Sequence, residues 1–493
     1  MKRRTFCAAG VAALAAATLP CRRSLAATGG ELAATGLDGR QLNLRPAELG
    51  ELRAALRGAL LTADAAGYDT ARRLWNPAFD HKPALIVRCA GAADVMHAVS
   101  FAAAHGLLTA VRGGGHSLSG QSGCDGGLVV DVSSMRSVRV DPLAGRARVE
   151  SGVLLGEFDR EAQAFGLATT AGTAADTGVA GLTLGGGVGR IGRKYGLSCD
   201  NLTAVDVVTA DGRLARTSAT ENPDLFWALR GGGGNFGVVT SFEYRLHAVG
   251  PMLFGGTIDY PFAQAHQVLR GFSEFIAGAP DELYVDVALQ PGAGGQRIVE
   301  FDVCYCGPPG RAQDVVAPLR KLGKPLQDRL APAPYVKLQG ATDAPQVNDN
   351  AAYIKGGLIR DISPALVDAL VDHLDSTPLP SGMVVFQHQG GAIARVAPNA
   401  TAYWNRKALY NLMVLALWKV PGDGAAANTQ WVRAGWDKLE HFTDGYYVNL
   451  SEQDQHERRV HAAYGDNYPR LAALKKRYDP ANLFRLNANI KPA

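Results

Sequence analysis

Cysteine is scarce in this sequence, at 7 of 493 residues. Two of the seven lie within residues 1–27, and the other five are scattered and odd in number, so no disulfide framework is indicated. Cys304 and Cys306 are closely spaced, but no second ligand pair has a suitable spacing, and we therefore expect no metal site. The five cysteines are Cys89, Cys124, Cys199, Cys304 and Cys306.

The sequence also lacks an apolar run long enough to span a membrane. Its N-terminus has basic residues at 2–4, an Ala-rich run over 8–19 and small residues at 24–27. This order is typical of a cleavable export signal, and Arg3-Arg4-x-Phe6 resembles the twin-arginine type. We expect residues 1–27 to be removed and the protein to be exported, to the bacterial periplasm or beyond. A frayed N-terminal helix is the alternative.

The remaining chain lacks the positive charge of a nucleic-acid-binding protein. The formal net charge is +4, but five basic and no acidic residues lie within residues 1–27, so their removal leaves about −1. No basic surface is then available to attract phosphate backbones. We expect a small-molecule partner and no nucleic acid.

Glycine, by contrast, is abundant. It accounts for 58 of the 493 residues, well above the usual background of roughly 7%. The excess clusters in 113–127, 172–192 and 231–237, which indicates backbone packed closely against something large and polar. In the first cluster, Arg112-Gly-Gly-Gly-His116-Ser117 follows a predicted strand, and successive glycine N–H groups converge well on an anion such as a pyrophosphate. This motif lacks both the dinucleotide and the P-loop fingerprints. Alone, it fits a tight loop with a capping histidine equally well.

The chain is long enough for two or more cores, and its two halves differ in pattern. Up to about residue 249, short apolar strands alternate with helices predicted at 92–105, 155–165 and 224–229, after a helical stretch at 48–67. The glycine-rich stretch 172–192 is expected to be coil. From about residue 250, strands predicted at 284–290, 297–306, 383–389 and 409–418 mix with helices at 263–276, 364–375 and 428–442. This mixture favours an α+β lobe on a largely antiparallel sheet.

Four further motifs make a resemblance specific. Together with 112–117 they resemble the berberine-bridge-enzyme-like oxidases of the vanillyl-alcohol-oxidase superfamily, from about residue 68 to the end. The resemblance implies an α+β fold, with a two-lobed PCMH-type FAD-binding domain and an α+β substrate domain on a large antiparallel sheet. The motifs are Thr177-Gly-Val-Ala-Gly-Leu-Thr-Leu-Gly-Gly-Gly187, Asp224-Leu-Phe-Trp-Ala-Leu-Arg-Gly231, Asn235-Phe-Gly-Val-Val239 and Tyr478-Asp-Pro-Ala-Asn-Leu-Phe484. The implied division is an N-terminal helical segment (28–78), the FAD-binding domain (79–249), the substrate domain (250–440) and a C-terminal berberine-bridge-enzyme-like segment that returns to the FAD-binding domain (441–493).

The same resemblance implies FAD bonded covalently through its 8α carbon to His116. Ala174 stands where many relatives carry the cysteine of a second bond, at the flavin 6 position, so we expect a single bond. Thr177 is no bulkier than the valine of oxygen-reactive relatives, which favours an oxidase over a dehydrogenase. The residues expected to contact FAD are Arg112, Gly113, Gly114, Gly115, His116, Ser117, Thr177, Gly178, Gly181, Gly237, Val239 and Asn487.

Tyr447 is the candidate catalytic base, because Tyr447-Val-Asn449 matches an element whose tyrosine faces the flavin in related sugar and alcohol oxidases. A free phenol has a pKa near 10, so a nearby cation is expected to help. The alternative is a core tyrosine with a satisfied hydroxyl. Tyr446 is the weaker candidate, since alternation on a strand turns it the other way, and Asn449 is expected to contact substrate or flavin. The unranked cations are Lys355, Arg360, Arg395 and Arg406.

Several other residues are candidates for substrate or flavin contacts. Met413 aligns with polar active-site residues of relatives, and its apolar side chain suits a substrate less polar than a free sugar. Gln387, His388 and Gln389 on a neighbouring predicted strand are candidates for polar contacts, although a lone histidine is more often structural. Asp176 is expected to contact flavin or substrate, or else to cap a turn.

The expected function is therefore an FAD-dependent oxidase of a CH–OH group in a sugar, alcohol or hydroxylated secondary metabolite. Hydride passes to flavin N5, and dioxygen takes up the electrons as hydrogen peroxide. The alternatives are oxidation at a C–N bond of an amine or alkaloid, a dehydrogenase with another acceptor, and a non-enzymatic flavin-binding protein.

Overall fold

The computed structural model describes residues 30–340, 349–377, 379–420, 422, 424–450 and 457–493. The export signal predicted at 1–27 lies outside the described residues. Within those ranges, no helix has the length and apolar character needed to cross a membrane.

The N-terminal half alternates short strands with short helices. Its strands are β1 (Leu32–Thr35), β2 (Gln41–Leu44), β3 (Ala59–Leu61), β4 (Leu85–Arg88), β5 (Thr109–Arg112), β6 (Leu128–Asp131), β7 (Val138–Asp141), β8 (Arg146–Glu150), β9 (Leu167–Ala168), β10 (Leu202–Val208), β11 (Leu214–Ser218), β12 (Val238–Arg245) and β13 (His247–Ala248). Its helices are α1 (Pro46–Ala55), α2 (Tyr68–Arg72), α3 (Ala92–His105), α4 (Leu155–Gln163), α5 (Val179–Leu184), α6 (Gly192–Tyr195) and α7 (Pro223–Leu229).

Helix α3 shows how the sequence sets these elements. Val95, Ala98, Val99 and Ala102 recur on one helical face, and all four are buried in a core cluster that also contains side chains of β4 and β6. Gly106 ends the helix at φ +59° and donates its N–H to carbonyls of the last turn, a conformation that favours glycine. The helix has the bounds that the sequence predicts.

Two sheets carry the N-terminal half. One has the order β3-β4-β6-β5, with β4 and β5 both parallel to β6. The other has the order β11-β10-β12-β8-β7 and is antiparallel. Because β5 ends at Arg112, the first glycine cluster begins at the carboxyl end of the parallel strands, where ligands bind in open parallel sheets.

Two predicted features of this half are wrong. The helix expected at 48–67 ends early, and β3 follows and pairs with β4 because burial of Leu60 in the sheet overrides the helical spacing. Residues 28–78, expected to be helical, thus also contain β3 and the β1–β2 hairpin. The glycine-rich stretch 172–192, expected to be coil, contains α5 and the start of α6.

The second half is built on a large antiparallel sheet, as expected. Its order is β17-β14-β16-β15-β20-β21-β19, with β18 also paired to β14, and β14 and β19 were missed by the sequence analysis. Helices α8, α11 and α13 pack on one face and share its apolar core. The strands are β14 (Met252–Pro261), β15 (Leu283–Pro291), β16 (Arg297–Tyr305), β17 (Gln327–Asp328), β18 (Ala331–Pro334), β19 (Asn350–Ile359), β20 (Gly382–His388) and β21 (Tyr410–Lys419). The helices are α8 (Ala265–Ile276), α9 (Ala312–Val316), α10 (Tyr335–Gln339), α11 (Pro364–Ser376), α12 (Ala392–Arg395) and α13 (Ala425–Leu439).

The C-terminal segment returns to the N-terminal half through α14 (Glu457–Tyr464) and α15 (Tyr468–Tyr478). The ammonium of buried Lys475 donates to the carbonyls of Asn235 (2.7 Å) and Phe484 (2.9 Å) and to the carboxylate of Asp479 (2.7 Å). The Asn235 amide in turn donates to the Ala488 carbonyl at 3.1 Å. These bonds hold residues 484–488 beside the third glycine cluster.

Candidate active site

A cavity of about 420 Å³ lies between the two halves and the C-terminal segment. The three glycine clusters form one wall, and side chains of β20, β21 and residues 447–450 form the other. The predicted site residues that line it are Gly113, Gly114, Gly115, His116, Ser117, Thr177, Gly178, Gly181, Gly237, Val239, Gln387, Met413, Tyr447, Asn449 and Asn487.

The glycine wall depends on backbone contact between two clusters. A Cβ added at Gly114 would lie 2.5 Å from the Cα of Gly178, closer than real Cβ atoms approach backbone, and Gly115 has φ +71°. Among the described residues, the N–H groups of Gly114, Gly115, His116 and Ser117 donate to no backbone carbonyl. Because protein donors are normally satisfied, this row of amides is suited to an anionic ligand.

His116 lies in the cavity lining, with 20% of its side chain exposed. Its ring stacks on Trp75 with centroids 4.6 Å apart, and its Nε2 lies 3.5 Å from Oδ1 of Asp176. Trp75 also donates its indole N–H to Asp176, at 3.3 Å. Burial alone raises the pKa of the Asp176 carboxyl, but His116 and Trp75 lower it below its usual value.

Two residues predicted to contact flavin or substrate at this wall lie outside the cavity lining. Asp176 does not line the cavity; it lies behind His116 and orients that ring. Arg112 does not line it either, because alternation along β5 turns Val111 toward the cavity and Arg112 to the other face. There its guanidinium donates to the carbonyl of Ala71.

Tyr447 reaches the cavity from the loop before the 3-10 turn Val448–Leu450. Its hydroxyl oxygen accepts N–H bonds from the backbone of Gly187 (3.0 Å) and Val188 (3.3 Å) and from the side chain of Asn449 (2.8 Å). Burial raises the pKa of Tyr447, and the three bonds oppose that rise. Tyr446 does not line the cavity, and its hydroxyl donates to a carboxylate oxygen of Glu440.

No expected cation contributes to the cavity. Lys355, Arg360, Arg395 and Arg406 are all absent from its lining. The three arginines each form an ion pair elsewhere: Arg360 with Asp444 (2.6 Å), Arg395 with Asp281 (2.5 Å) and Arg406 with Asp200 (2.7 Å). The polar groups on the Tyr447 hydroxyl are therefore amides.

The side-chain wall contains Gln387 from β20 and Met413 from β21. Asn411 donates its amide N–H to Oε1 of Gln387 at 3.4 Å, across the pairing that joins the two strands. Leu450 adds an apolar side chain to the same wall. From β20 and β21 the cavity thus receives one polar group, the amide of Gln387, beside the apolar side chain of Met413.

His388 and Gln389, expected to offer polar contacts here, are outside the lining. His388 faces the other side of β20, where its Nδ1 accepts the N–H of Val285 (3.2 Å) and its Nε2 lies 2.9 Å from Nη1 of Arg193. Gln389 follows the strand's end, and its Oε1 accepts the hydroxyl of Tyr403 at 3.0 Å. Both side chains have structural roles.

Comparison with known proteins gives this geometry a family. The profile described as "FAD binding domain" matches residues 83–218, and "Berberine and berberine like" matches residues 446–491. (R)-6-hydroxynicotine oxidase of Paenarthrobacter nicotinovorans is 31% identical over 457 residues, which cover 89% of this chain and 97% of that protein. The chain belongs to the berberine-bridge-enzyme-like family of FAD-linked oxidoreductases.

Other members of this family agree in length and fold. Xylooligosaccharide oxidase of Thermothelomyces thermophilus is 30% identical over 452 residues, covering 85% of this chain and 89% of that one. The crystal structure of 6-hydroxy-D-nicotine oxidase from Arthrobacter nicotinovorans matches with a TM-score of 0.82 and 30% identity, covering 89% of this chain and 98% of that one. The predicted family, α+β fold and oxidoreductase class are confirmed.

The cavity of this family member fits FAD. The row of amides from Gly114 to Ser117 is suited to the diphosphate, and glycine at Gly181 leaves open space on the cavity side. Oδ1 of Asn487 is buried without a protein partner in the described part of the chain, which leaves an acceptor for a ligand. These groups would hold the cofactor that the family name implies.

Some residues of this FAD site were not predicted from the sequence. Gly233 and Gly234 line the cavity, and their glycine cluster was a usable signal. Trp75 carried no signal, because only folding brings it beside His116. The N–H groups of Gly187 and Val188 are backbone contacts, which a side-chain motif does not reveal.

Proposed function

We propose that this chain oxidises a CH–OH group of a small, weakly polar substrate and that dioxygen takes up the electrons as hydrogen peroxide. When bound, FAD supplies the hydride acceptor. The observation that carries the proposal is the hydroxyl of Tyr447, which reaches a cavity lined largely by glycine backbone and apolar side chains. A proton acceptor in such a setting is what alcohol oxidation requires.

In this proposal, Tyr447 accepts the proton of the substrate hydroxyl as the hydride leaves the same carbon. Gln387 orients that hydroxyl, because the bond from Asn411 to its Oε1 fixes the amide and leaves its NH₂ group for the substrate. Met413 and Leu450 exclude water and favour an apolar substrate body. Thr177, in the opposite wall, is small enough to leave room for dioxygen.

We also propose that His116 bonds the 8α carbon of FAD and that no second covalent bond forms. The ring is held by Trp75 and by Asp176 at its Nε2, which leaves Nδ1 as the nitrogen that forms the bond. Ala174 lines the cavity and carries no thiol. His116→Ala should release flavin on acid precipitation, whereas flavin still attached to the denatured variant would contradict the assignment.

Oxidation at a C–N bond is the second candidate. It is favoured by the 31% identity to a relative named (R)-6-hydroxynicotine oxidase and by the apolar Met413 in the substrate wall. Anaerobic bleaching of the flavin by alcohols, sugars and amines, followed by peroxide release in air, distinguishes the two. Bleaching by amines alone would reject the CH–OH proposal.

The role of Tyr447 is tested by Tyr447→Phe, which keeps the ring and removes the hydroxyl. We expect flavin reduction by the best substrate to slow by roughly 10²–10⁴, while the visible spectrum of the bound flavin is retained. Rapid-mixing absorbance under anaerobic conditions measures that step directly. Reduction at the wild-type rate would remove Tyr447 from the reaction.

Export also remains a proposal, supported by residues 1–27 alone. Replacing Arg3 and Arg4 by lysine should retain the protein in the cytoplasm, because the arginine pair is what marks this type of signal. Cell fractionation in a bacterial host measures the distribution. Equal export of both forms would reject the twin-arginine interpretation.

A further inference from the structure

The oxygen of Tyr447 is surrounded by hydrogen-bond donors. Backbone N–H groups of Gly187 and Val188 point at it from one side, at 3.0 and 3.3 Å, and the Asn449 side chain from another, at 2.8 Å. The same Asn449 nitrogen donates to the carbonyl of Leu182, at 2.8 Å. Both hydrogens of that amide are thus committed, and its orientation is fixed.

The two backbone donors are aimed by the chain around them. Gly186 and Gly187 have φ of +126° and +87°, which favour glycine. Their carbonyls accept the N–H groups of Cys199 (2.9 Å) and Ser198 (2.9 Å) on the side away from Tyr447. With the carbonyls held there, successive N–H groups converge on one point, as in an anion-binding nest.

Three donors match a phenolate better than a phenol. A neutral hydroxyl carries one hydrogen and two acceptor lone pairs, so a third N–H competes with its own proton. A phenolate oxygen has three lone pairs and accepts all three. Hydrogen bonds of this kind stabilise a charged oxygen more than a neutral one.

We propose that Gly187, Val188 and Asn449 form an oxyanion hole for the phenolate of Tyr447, in the place where a lysine or arginine was expected. The inference deepens the proposed function, because it rests on Tyr447 being the base. Asn449 acts through Tyr447 and is a positioning residue. Its loss should make the phenolate harder to form without removing the phenol.

Tyr403 gives an internal contrast. Its ring lies 6.1 Å from that of Tyr447, and it is also buried, but its hydroxyl donates to Gln389 at 3.0 Å. Burial raises the pKa of Tyr403 far above its usual value. One tyrosine is therefore held as a donor and its neighbour as an acceptor.

The charges around Tyr447 are few. Among the described residues, the thiol of Cys199 and the hydroxyl of Tyr403 are titratable groups that act on it, and burial raises the pKa of both. The Arg406–Asp200 ion pair lies beyond, against the ring of Tyr403. Removing one amide donor should raise the pKa of Tyr447 further, so the rate of flavin reduction should reach its alkaline plateau at higher pH.

The test uses the holoenzyme with 3-fluorotyrosine in place of Tyr447 and follows the ¹⁹F chemical shift against pH. Asn449→Ala should raise the pKa of this residue by about one to two pH units, the scale of a hydrogen bond to a charged group. Asn449→Asp should raise it more, since a carboxylate adds a repelling charge, and it serves if the alanine variant does not fold. The pH profile of flavin reduction with natural Tyr447 should move in parallel.

Asn405→Ala is the matched control. Its amide also holds this stretch of chain, through the carbonyls of Tyr446 (3.5 Å) and Ala463 (3.1 Å), but it does not touch the Tyr447 hydroxyl. We expect its ¹⁹F titration to match that of the parent. If Asn405→Ala raised the pKa as much as Asn449→Ala does, the shift would reflect a general loss of local structure, and the proposal would be overturned.

The outcomes separate this inference from the proposed function. If neither Asn449 variant changes the pKa of residue 447, while flavin reduction in Tyr447→Phe is slow, the oxyanion hole is rejected and Tyr447 remains the base. A raised pKa in the Asn449 variants, with Tyr447→Phe still fast, supports the hole and rejects the base.

Discussion

The two walls of the cavity are built in different ways. The glycine wall is backbone against backbone, where Gly114 and Gly178 touch and leave amides for the cofactor. The other wall is made by side chains such as Gln387 and Met413, which project from adjacent strands of a regular sheet. Adding a Cβ to a glycine should disrupt the first wall, whereas replacing a side chain should change only how the second wall contacts the substrate.

The comparison is tested most severely by Gly114→Ala. The new Cβ would overlap the backbone of Gly178, so the two clusters must separate, and we expect protein that retains no flavin. Absorbance at 450 nm relative to 280 nm measures flavin content. The control is Gly50→Ala, whose Cβ meets no protein atom within 4 Å and lies in α1, outside the cavity lining, so it should fold at least as stably and keep its flavin. A wild-type flavin content in Gly114→Ala would show that the backbone of this wall can move to accommodate the added Cβ.

Two adjacent residues of β20, Gln387 and His388, should differ in whether their replacement affects substrate binding or stability. His388→Ala removes a buried ring bonded to Val285 and Arg193 and should lower the free energy of unfolding by about 2–4 kcal/mol. Gln387→Ala, from the cavity face, should leave stability within about 1 kcal/mol and raise KM instead. Chemical denaturation and steady-state kinetics of both variants provide the measurements. Loss of stability in Gln387→Ala together with a raised KM in His388→Ala would mean that the opposite face of β20 lines the cavity.

Met413→Gln should change the choice of substrate with little effect on folding. A second amide beside Gln387 favours hydroxylated substrates and disfavours apolar ones, because an unpaired polar group is costly against an apolar surface. We expect the ratio of kcat/KM between a sugar and an aryl alcohol to move about tenfold toward the sugar. An unchanged ratio would mean that Met413 does not contact the substrate.

The smallest effect concerns a carboxyl group in the sheet behind that wall. Burial, with the nearby charge of Asp302, raises the pKa of Asp286 to about 7, above its unfolded value near 3.9. Between these two pKa values the folded protein holds a proton that the unfolded chain has released. The free energy that this proton adds to folding is therefore fully present below about pH 4 and is lost as pH rises through 7. Asp286→Asn should reduce the fall in Tm between pH 5 and pH 8 by roughly 2–4 °C.

Asp38→Asn is the matched control, because it makes the same change of side chain at an exposed position. Thermal unfolding of the three proteins at both pH values gives the comparison. An identical fall in Asp286→Asn and the parent would assign the proton to another group.

The glycine wall was largely predictable from the sequence, and the side-chain wall was not. The glycine clusters marked this wall, and the resemblance to the berberine-bridge-enzyme-like oxidases assigned Gly113–Ser117 and Gly178 to the cofactor site; all of them line the cavity. The errors were side-chain directions. Arg112 at the end of β5 and His388 on β20 each point to the opposite face of their strand, and one residue of register decides that.

Other features depend on distant parts of the chain. The helix expected at 48–67 gave way to β3 because β4 was present to pair with it. Trp75 and Asp176 reach His116 only in the folded protein. The expected cation near Tyr447 proved to be a set of amides, and backbone N–H groups carry no residue-specific signal.

The C-terminal closure of the cavity has a consequence for synthesis of the protein. Phe484, Leu486 and Asn487 line the same space as Gly113, although translation produces them only after all the strands of both halves. A ribosome must therefore pass Ala488 before the lining of the cavity is complete, and a chain cut short before α15 lacks that part of the lining. Yellow colour would then mark molecules whose translation and folding have passed that point, and a prematurely terminated product would be colourless.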